Sequence, residues 1–158
     1  MPVRRATTTP DPGVTARPAG GEAAQAIRTV LRLIVATGLA IDAYVHADLA
    51  AQYAPIHATI SQSTLFLIEA GVASAAALTV LAVRGRAGFA LALAVAASAL
   101  GAILLYRYVN VGTLGPLPNM YEPAWFPEKT TAAAAEAVAT VAALGGLAWE
   151  QLRRRQAS

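Results

Sequence analysis

The feature that most constrains this chain is the recurrence of four uninterrupted apolar stretches, each about as long as a bilayer is thick. They run from about Ile27 to Val45, Leu65 to Val83, Gly88 to Tyr108 and Thr130 to Trp149. A helix needs about 20 mostly apolar residues to cross a hydrocarbon core of about 30 Å. Each stretch is too long for a strand and too continuous for a half-exposed helix. A membrane β-barrel alternates apolar and polar residues over segments of about 10. Phe89 to Ala102, by contrast, carries Ser98 as its one polar side chain. Alanine and leucine dominate, and both are strong helix formers. The reading is all-α, a bundle of four transmembrane helices. Composition agrees: 13% of residues are charged, against about 25% in soluble domains. With 56% hydrophobic residues the chain is also far from the composition of long disorder. The absence of cysteine excludes disulfide scaffolds, zinc–thiolate and Cys-ligated iron–sulfur sites, and cysteine nucleophiles.

Basic residues orient the bundle. Arg4, Arg5, Arg17, Arg28 and Arg32 precede or open span one, Arg84 and Arg86 separate spans two and three, and Arg153, Arg154 and Arg155 follow span four. Ten of the twelve basic residues thus lie on one side, with Arg107 and Lys129 on the other. The positive-inside rule puts both termini in the cytoplasm. Loops at about 46–64 and 109–129 then face outward, and Tyr44, Tyr53, Tyr106, Tyr108, Tyr121 and Trp125 mark the outer interface. The expected organisation is a flexible tail over 1–24, rich in Thr, Pro, Gly and Ala, a membrane domain over 25–150, and a basic cytoplasmic tail over 151–158. The net charge of +3 does not call for nucleic acid. The arginines sit where topology already explains them, against anionic lipid head groups. A competing reading takes Val45-His46-Ala47 as a signal-peptidase site, leaving three spans. Against it stand the long basic tail before the apolar run and helical continuity past Ala47.

Ionisable groups inside spans are costly, and they face a bundle interior or a water-filled cavity. Asp42 and His46 near the outer end of span one, Glu69 in span two and Glu136 in span four are such groups. Asp42 and His46 are four apart and share a helix face. Glu69 and Glu136 lie roughly 6–9 Å below the outer ends of their spans. Three spans therefore bring acids to one outer layer, and Arg107 and Lys129 stand nearby. Three readings follow. In the first, Arg107, Lys129 and His46 satisfy the carboxylates, or Glu69 and Glu136 are protonated, and the network sets helix register. In the second, Asp42, His46, Glu69 and Glu136 bind a metal ion such as iron, manganese or zinc. The Glu-x-x-His repeat of bundle carboxylate sites is absent, since Val72 and Ala139 follow the two glutamates at +3. His57 and Met120 would add softer ligands for copper. In the third, the acids relay protons or hold the polar head of a quinone or lipid. No phosphate-binding loop, GxSxG elbow or HExxH motif is present.

The second outer loop carries four prolines, two glycines and three aromatics between Gly112 and Pro127. Prolines restrict it and glycines permit tight turns. The expectation is an ordered cap on the outer mouth, with Met120, Tyr121 and Trp125 as lid residues. Small residues fill spans two to four, including Gly71, Ala75, Gly88, Ala92, Gly101, Ala139 and Gly146. They let helices approach closely, within the bundle or in a homo-oligomer or larger membrane complex.

The order Asp42-x-x-x-His46, Phe66 with Glu69, Gly115-Pro116 with Trp125, and Ala135-Glu136 resembles small four-helix integral membrane proteins of high-GC Gram-positive bacteria. It is also similar in layout to the DoxX-like four-helix membrane proteins, over about 27–149. That resemblance implies a bacterial inner-membrane location, and a link to quinone-dependent redox systems in some members. It carries no catalytic residue over. The functional expectation is a non-catalytic accessory or ligand-binding membrane protein. The alternative is a metal- or quinone-dependent redox subunit built on the Asp/His/Glu cluster.

Overall fold

The structure, a computed structural model, describes residues 19–157. Four helices make it up: α1 (Ala19–Leu49), α2 (Gln62–Ala82), α3 (Arg86–Tyr108) and α4 (Pro127–Ala157). Each is long and apolar enough to cross a membrane. Among the described residues there is no strand beyond two isolated bridges, His57 to Ser61 and Leu114 to Leu117. The helices run up, down, up, down. α1 packs on α2 and α4, α3 packs on α2 and α4, and the two diagonal pairs barely meet or do not meet. The bundle thus has a termini end, which also holds the short α2–α3 turn, and a loop end, which holds the two long connections.

The outer helices are longer than the apolar runs suggest. α1 starts at Ala19, inside the stretch that composition assigns to a flexible tail, whose residues 1–18 lie outside the described residues. α4 continues to Ala157 through the basic segment. Charge placement explains both extensions. Glu22 lies in the first turn of α1, and Arg154 and Arg155 lie in the last turn of α4, where each favours the helix dipole. Val45-His46-Ala47 is helical and interior to α1.

Chain breaks are local chemistry. Ser61 caps α2 by accepting a hydrogen bond from the Thr64 backbone N–H at 3.0 Å. Gly85, with φ of 93°, makes the turn into α3, a conformation that glycine adopts without a Cβ penalty.

The core is mostly alanine. Ala73, Ala76, Ala92, Ala96, Ala139 and Ala143 are buried around Val35, Leu39, Val80 and Phe89. With so little side chain between them, the backbones come close. A Cβ placed on Gly38 would lie 2.8 Å from the Ala135 carbonyl oxygen and 3.0 Å from the Ala139 Cβ, so α1 and α4 cross there with no room to spare. A Cβ on Gly146 would collide with the Phe89 ring, which lies flush against α4. Contact packing of this kind, rather than water exclusion, is what holds membrane-spanning helices together. The small residues are not all used so: a Cβ on Gly71 or Gly101 would meet nothing within 4 Å. Leu67, Leu78, Leu104, Val141 and Leu144 point outward and are exposed, as suits a lipid-facing surface.

Candidate functional site

The tight α1–α4 crossing carries the polar residues. One turn beyond Gly38, α1 turns Asp42 inward, and one turn further His46. Glu136 comes from α4, one residue past the Ala135 carbonyl that touches Gly38. Asp42 and Glu136 have no solvent exposure. One ligand atom from each of Asp42, His46 and Glu136 lies within 4.8 Å of the others. His46 Nδ1 is 2.8 Å from Asp42 Oδ1 and 3.1 Å from the Asp42 backbone oxygen. The Phe66 ring meets the imidazole edge-on, with centroids 5.1 Å apart, and Tyr53 packs on Phe66 at 4.9 Å.

Glu69 stands apart from this trio. It is partly buried on α2, and its Oε1 is enclosed without a hydrogen-bond partner. The two loop-end cations, Arg107 and Lys129, do not pair with the carboxylates as the first sequence reading has them do. Arg107 ends α3 with its guanidinium over the rings of Tyr108, at 5.0 Å, and Trp125, at 5.8 Å. Lys129 donates to the backbone carbonyls of Glu122 and Ala124. The rings of Tyr108 and Trp125 hold Arg107, and loop carbonyls hold Lys129, at the loop end. Glu136 is two turns of α4 away from Lys129, about 10 Å at 1.5 Å per residue.

A cavity of about 390 Å³ opens beside the trio at the loop end. All four helices and the second loop wall it. Its polar lining includes His46, Gln62, Glu69 and Lys129, and its apolar lining includes Phe66 and Phe126. Ile68 and Ala102, both exposed on the flanks of α2 and α3, also belong to the wall, so the cavity reaches the bundle side between those helices. Gln62 is 4% exposed, and its Oε1 has no partner.

The second loop roofs this space. Asn110 Oδ1 accepts from the Gly112 N–H, and Asn119 Oδ1 accepts from the Tyr121 N–H, two local turns that pre-shape it. The Glu122 N–H donates to the Tyr106 carbonyl, and the Ile60 N–H donates to the Pro116 carbonyl, tying the roof to α3 and to the first loop. Of the expected lid residues, Met120 lines the cavity, whereas Tyr121 and Trp125 face outward at 39% and 43% exposure. His57 is exposed, its Nδ1 2.8 Å from the Pro55 carbonyl oxygen, away from the trio's ligand set.

Sequence reasoning missed Glu150. It is 6% exposed and pairs with Arg28 at 2.8 Å, joining α1 to α4 at the termini end. Beside it Arg32 donates to the Val83 carbonyl, which closes the end of α2. Ending span four at Trp149 hid the acid, and reading Arg28 and Arg32 as topology signals hid their partners. Helix register was the available signal. Arg28 to Asp42 and Glu136 to Glu150 are equal separations on antiparallel neighbours, so if one pair meets, so does the other. No protein-family model matches this chain, and neither a curated protein nor a solved structure matches it.

Proposed function

We propose that this chain is an integral protein of a bacterial cytoplasmic membrane, with both termini inside, that binds a small amphipathic molecule in the loop-end cavity. Its role on this reading is ligand binding or accessory, not catalytic. The observation that carries the proposal is the pair of enclosed, unpartnered acceptors on the cavity wall, Gln62 Oε1 and Glu69 Oε1, within an otherwise mostly apolar lining. A buried acceptor without a donor costs about 1–3 kcal/mol. A hydroxyl-bearing head group, as in a quinol or a lipid head, supplies that donor. The side opening between α2 and α3 lets an apolar body reach the lipid. The volume falls within the roughly 300–1,000 Å³ of small-molecule sites.

The test is organic extraction of the detergent-purified protein followed by mass spectrometry. Wild type should yield a co-purified amphiphile at near one per chain. Ala102→Phe, which fills the side opening, should lose it. Ala97→Phe, on an exposed part of α3 outside the cavity lining, should keep it. Equal yields from all three proteins would reject the cavity as the binding place.

A further inference from the structure

Asp42 and Glu136 bring two buried carboxyls together with no lysine or arginine beside them among the described residues. Both carboxylates are fully buried, and neither oxygen of Glu136 has a hydrogen-bond partner. Asp42 has the His46 imidazole on one side and the Glu136 carboxyl on the other. Lys129 is committed to the loop carbonyls and Arg107 to the Tyr108 and Trp125 rings. Arg28 and Arg32 are engaged at the other end of the seam, on Glu150 and on the Val83 carbonyl. Among the described residues, His46 is therefore the basic group that touches these two carboxyls, and no lysine or arginine does.

We infer that Asp42, His46 and Glu136 form a binding site for one divalent transition-metal cation, of the Zn²⁺, Mn²⁺ or Fe²⁺ class. Four observations converge on it. The donor set is two carboxylates and an imidazole, a mix of oxygen and nitrogen that suits these ions. The unpartnered Glu136 carboxylate is wholly buried and shares one small space with the other two ligand groups. The donor atoms all lie within 4.8 Å of one another. Bonds of about 2.0–2.2 Å hold donors up to about 4.4 Å apart, so small side-chain rotations suffice. Finally, a 2+ ion with two carboxylates and a neutral imidazole sums to zero charge, the cheapest state for a group taken out of water. Ligation through Nδ1 requires the imidazole to carry its proton on Nε2. Glu69 is outside this set, so the inferred site uses three of the four residues that spacing along the sequence suggests. The metal site and the amphiphile cavity adjoin, with His46 on the wall of both.

Elemental mass spectrometry on tag-free, chelator-free protein tests the inference. The full chain in detergent is incubated separately with Zn²⁺, with Mn²⁺ and, without oxygen, with Fe²⁺, and excess metal is removed. At least one ion should remain at about one per chain. Glu136→Gln and His46→Ala, checked for helicity and a monodisperse elution profile, should retain at least ten-fold less. Glu69→Gln and Glu150→Gln should retain it. Pulsed electron paramagnetic resonance of Mn²⁺-loaded wild type, which needs no variant, should show coupling to one imidazole nitrogen. Less than about a tenth of an ion per chain with all three metals would overturn the site, leaving a carboxyl pair that shares a proton. Undiminished metal in folded Glu136→Gln, or no nitrogen coupling from Mn²⁺ that the protein retains, would overturn it equally. Loss of the co-purified amphiphile does not enter this test, so the two readings fail separately.

Discussion

Asp42 and Glu136 meet, fully buried, at one level of the α1–α4 seam, and fourteen residues away along each helix Arg28 and Glu150 meet at 2.8 Å. Fourteen residues is close to four turns, about 21 Å of helix, so both pairs lie on one face of each helix. A single register thus places an ion pair at one end of the seam and two acids beside one imidazole at the other. The first end is built to hold the helices. The second end is the metal site inferred above.

The holding end should be measurable. Arg28→Ala and Glu150→Ala should each destabilise the bundle in detergent by about 1–3 kcal/mol. That is less than for a fully buried pair, because the Arg28 side chain is 30% exposed. A double-mutant cycle read by chemical unfolding checks it. A coupling energy near zero would mean that the two side chains act separately.

Close approach at the crossing predicts a steric cost. Gly38→Val should lower stability by about 1–3 kcal/mol through the clash with the Ala135 carbonyl and Ala139. Gly71→Ala and Gly101→Ala, which open onto free space, should stay at or above wild type. Thermal unfolding of the three variants side by side decides it.

The roof depends on Lys129. Lys129→Met keeps the stem and removes the donor to the Glu122 and Ala124 carbonyls. Losing charge-assisted bonds worth about 1.5–3 kcal/mol should raise hydrogen exchange across 115–126 by roughly ten-fold or more. Exchange within α2 should not change. Unaltered exchange at the Glu122 N–H would show that the Tyr106 carbonyl alone holds the roof.

Alkaline stability should report on Tyr53. Burial, then the neighbouring acids Glu122 and Glu128, hold its phenol above the ordinary value near 10. The folded state therefore keeps a proton that the unfolded chain loses. The stabilisation is complete below pH of about 10 and is lost as pH rises through the folded value. Unfolding followed from pH 9 upward should show a decline for wild type that is shallower in Tyr53→Phe.

The absence of cysteine makes orientation easy to test. Thr113→Cys in the second loop should react with a membrane-impermeant maleimide added outside intact cells. Gln151→Cys near the end of α4 should react only after lysis. The reverse pattern would invert the proposed topology.

Four helices and the termini-to-loop polarity of the bundle are readable in the apolar runs and in the arginines between them, because each is a local property. An apolar run of about 20 residues has few other stable forms. The layer of polar residues was legible as well, since depth along a helix follows from counting residues. What counting does not supply is azimuth and partner. Glu69 lies at much the same depth as Glu136, yet α2 turns it to the cavity wall while α1 and α4 turn Asp42 and Glu136 to each other. Arg107 is near enough in sequence terms to answer a carboxylate, but the aromatic faces of Tyr108 and Trp125 hold it first. Glu150 stood one residue past the fourth apolar run, without a partner in view, until α4 proved longer than that run and Arg28 stood opposite. The sequence alone thus determined how many helices there are and at what level their polar groups sit. Only the tertiary structure decided which groups touch, because contact depends on how alanine-sized side chains let two backbones close at Gly38, a property of both helices at once.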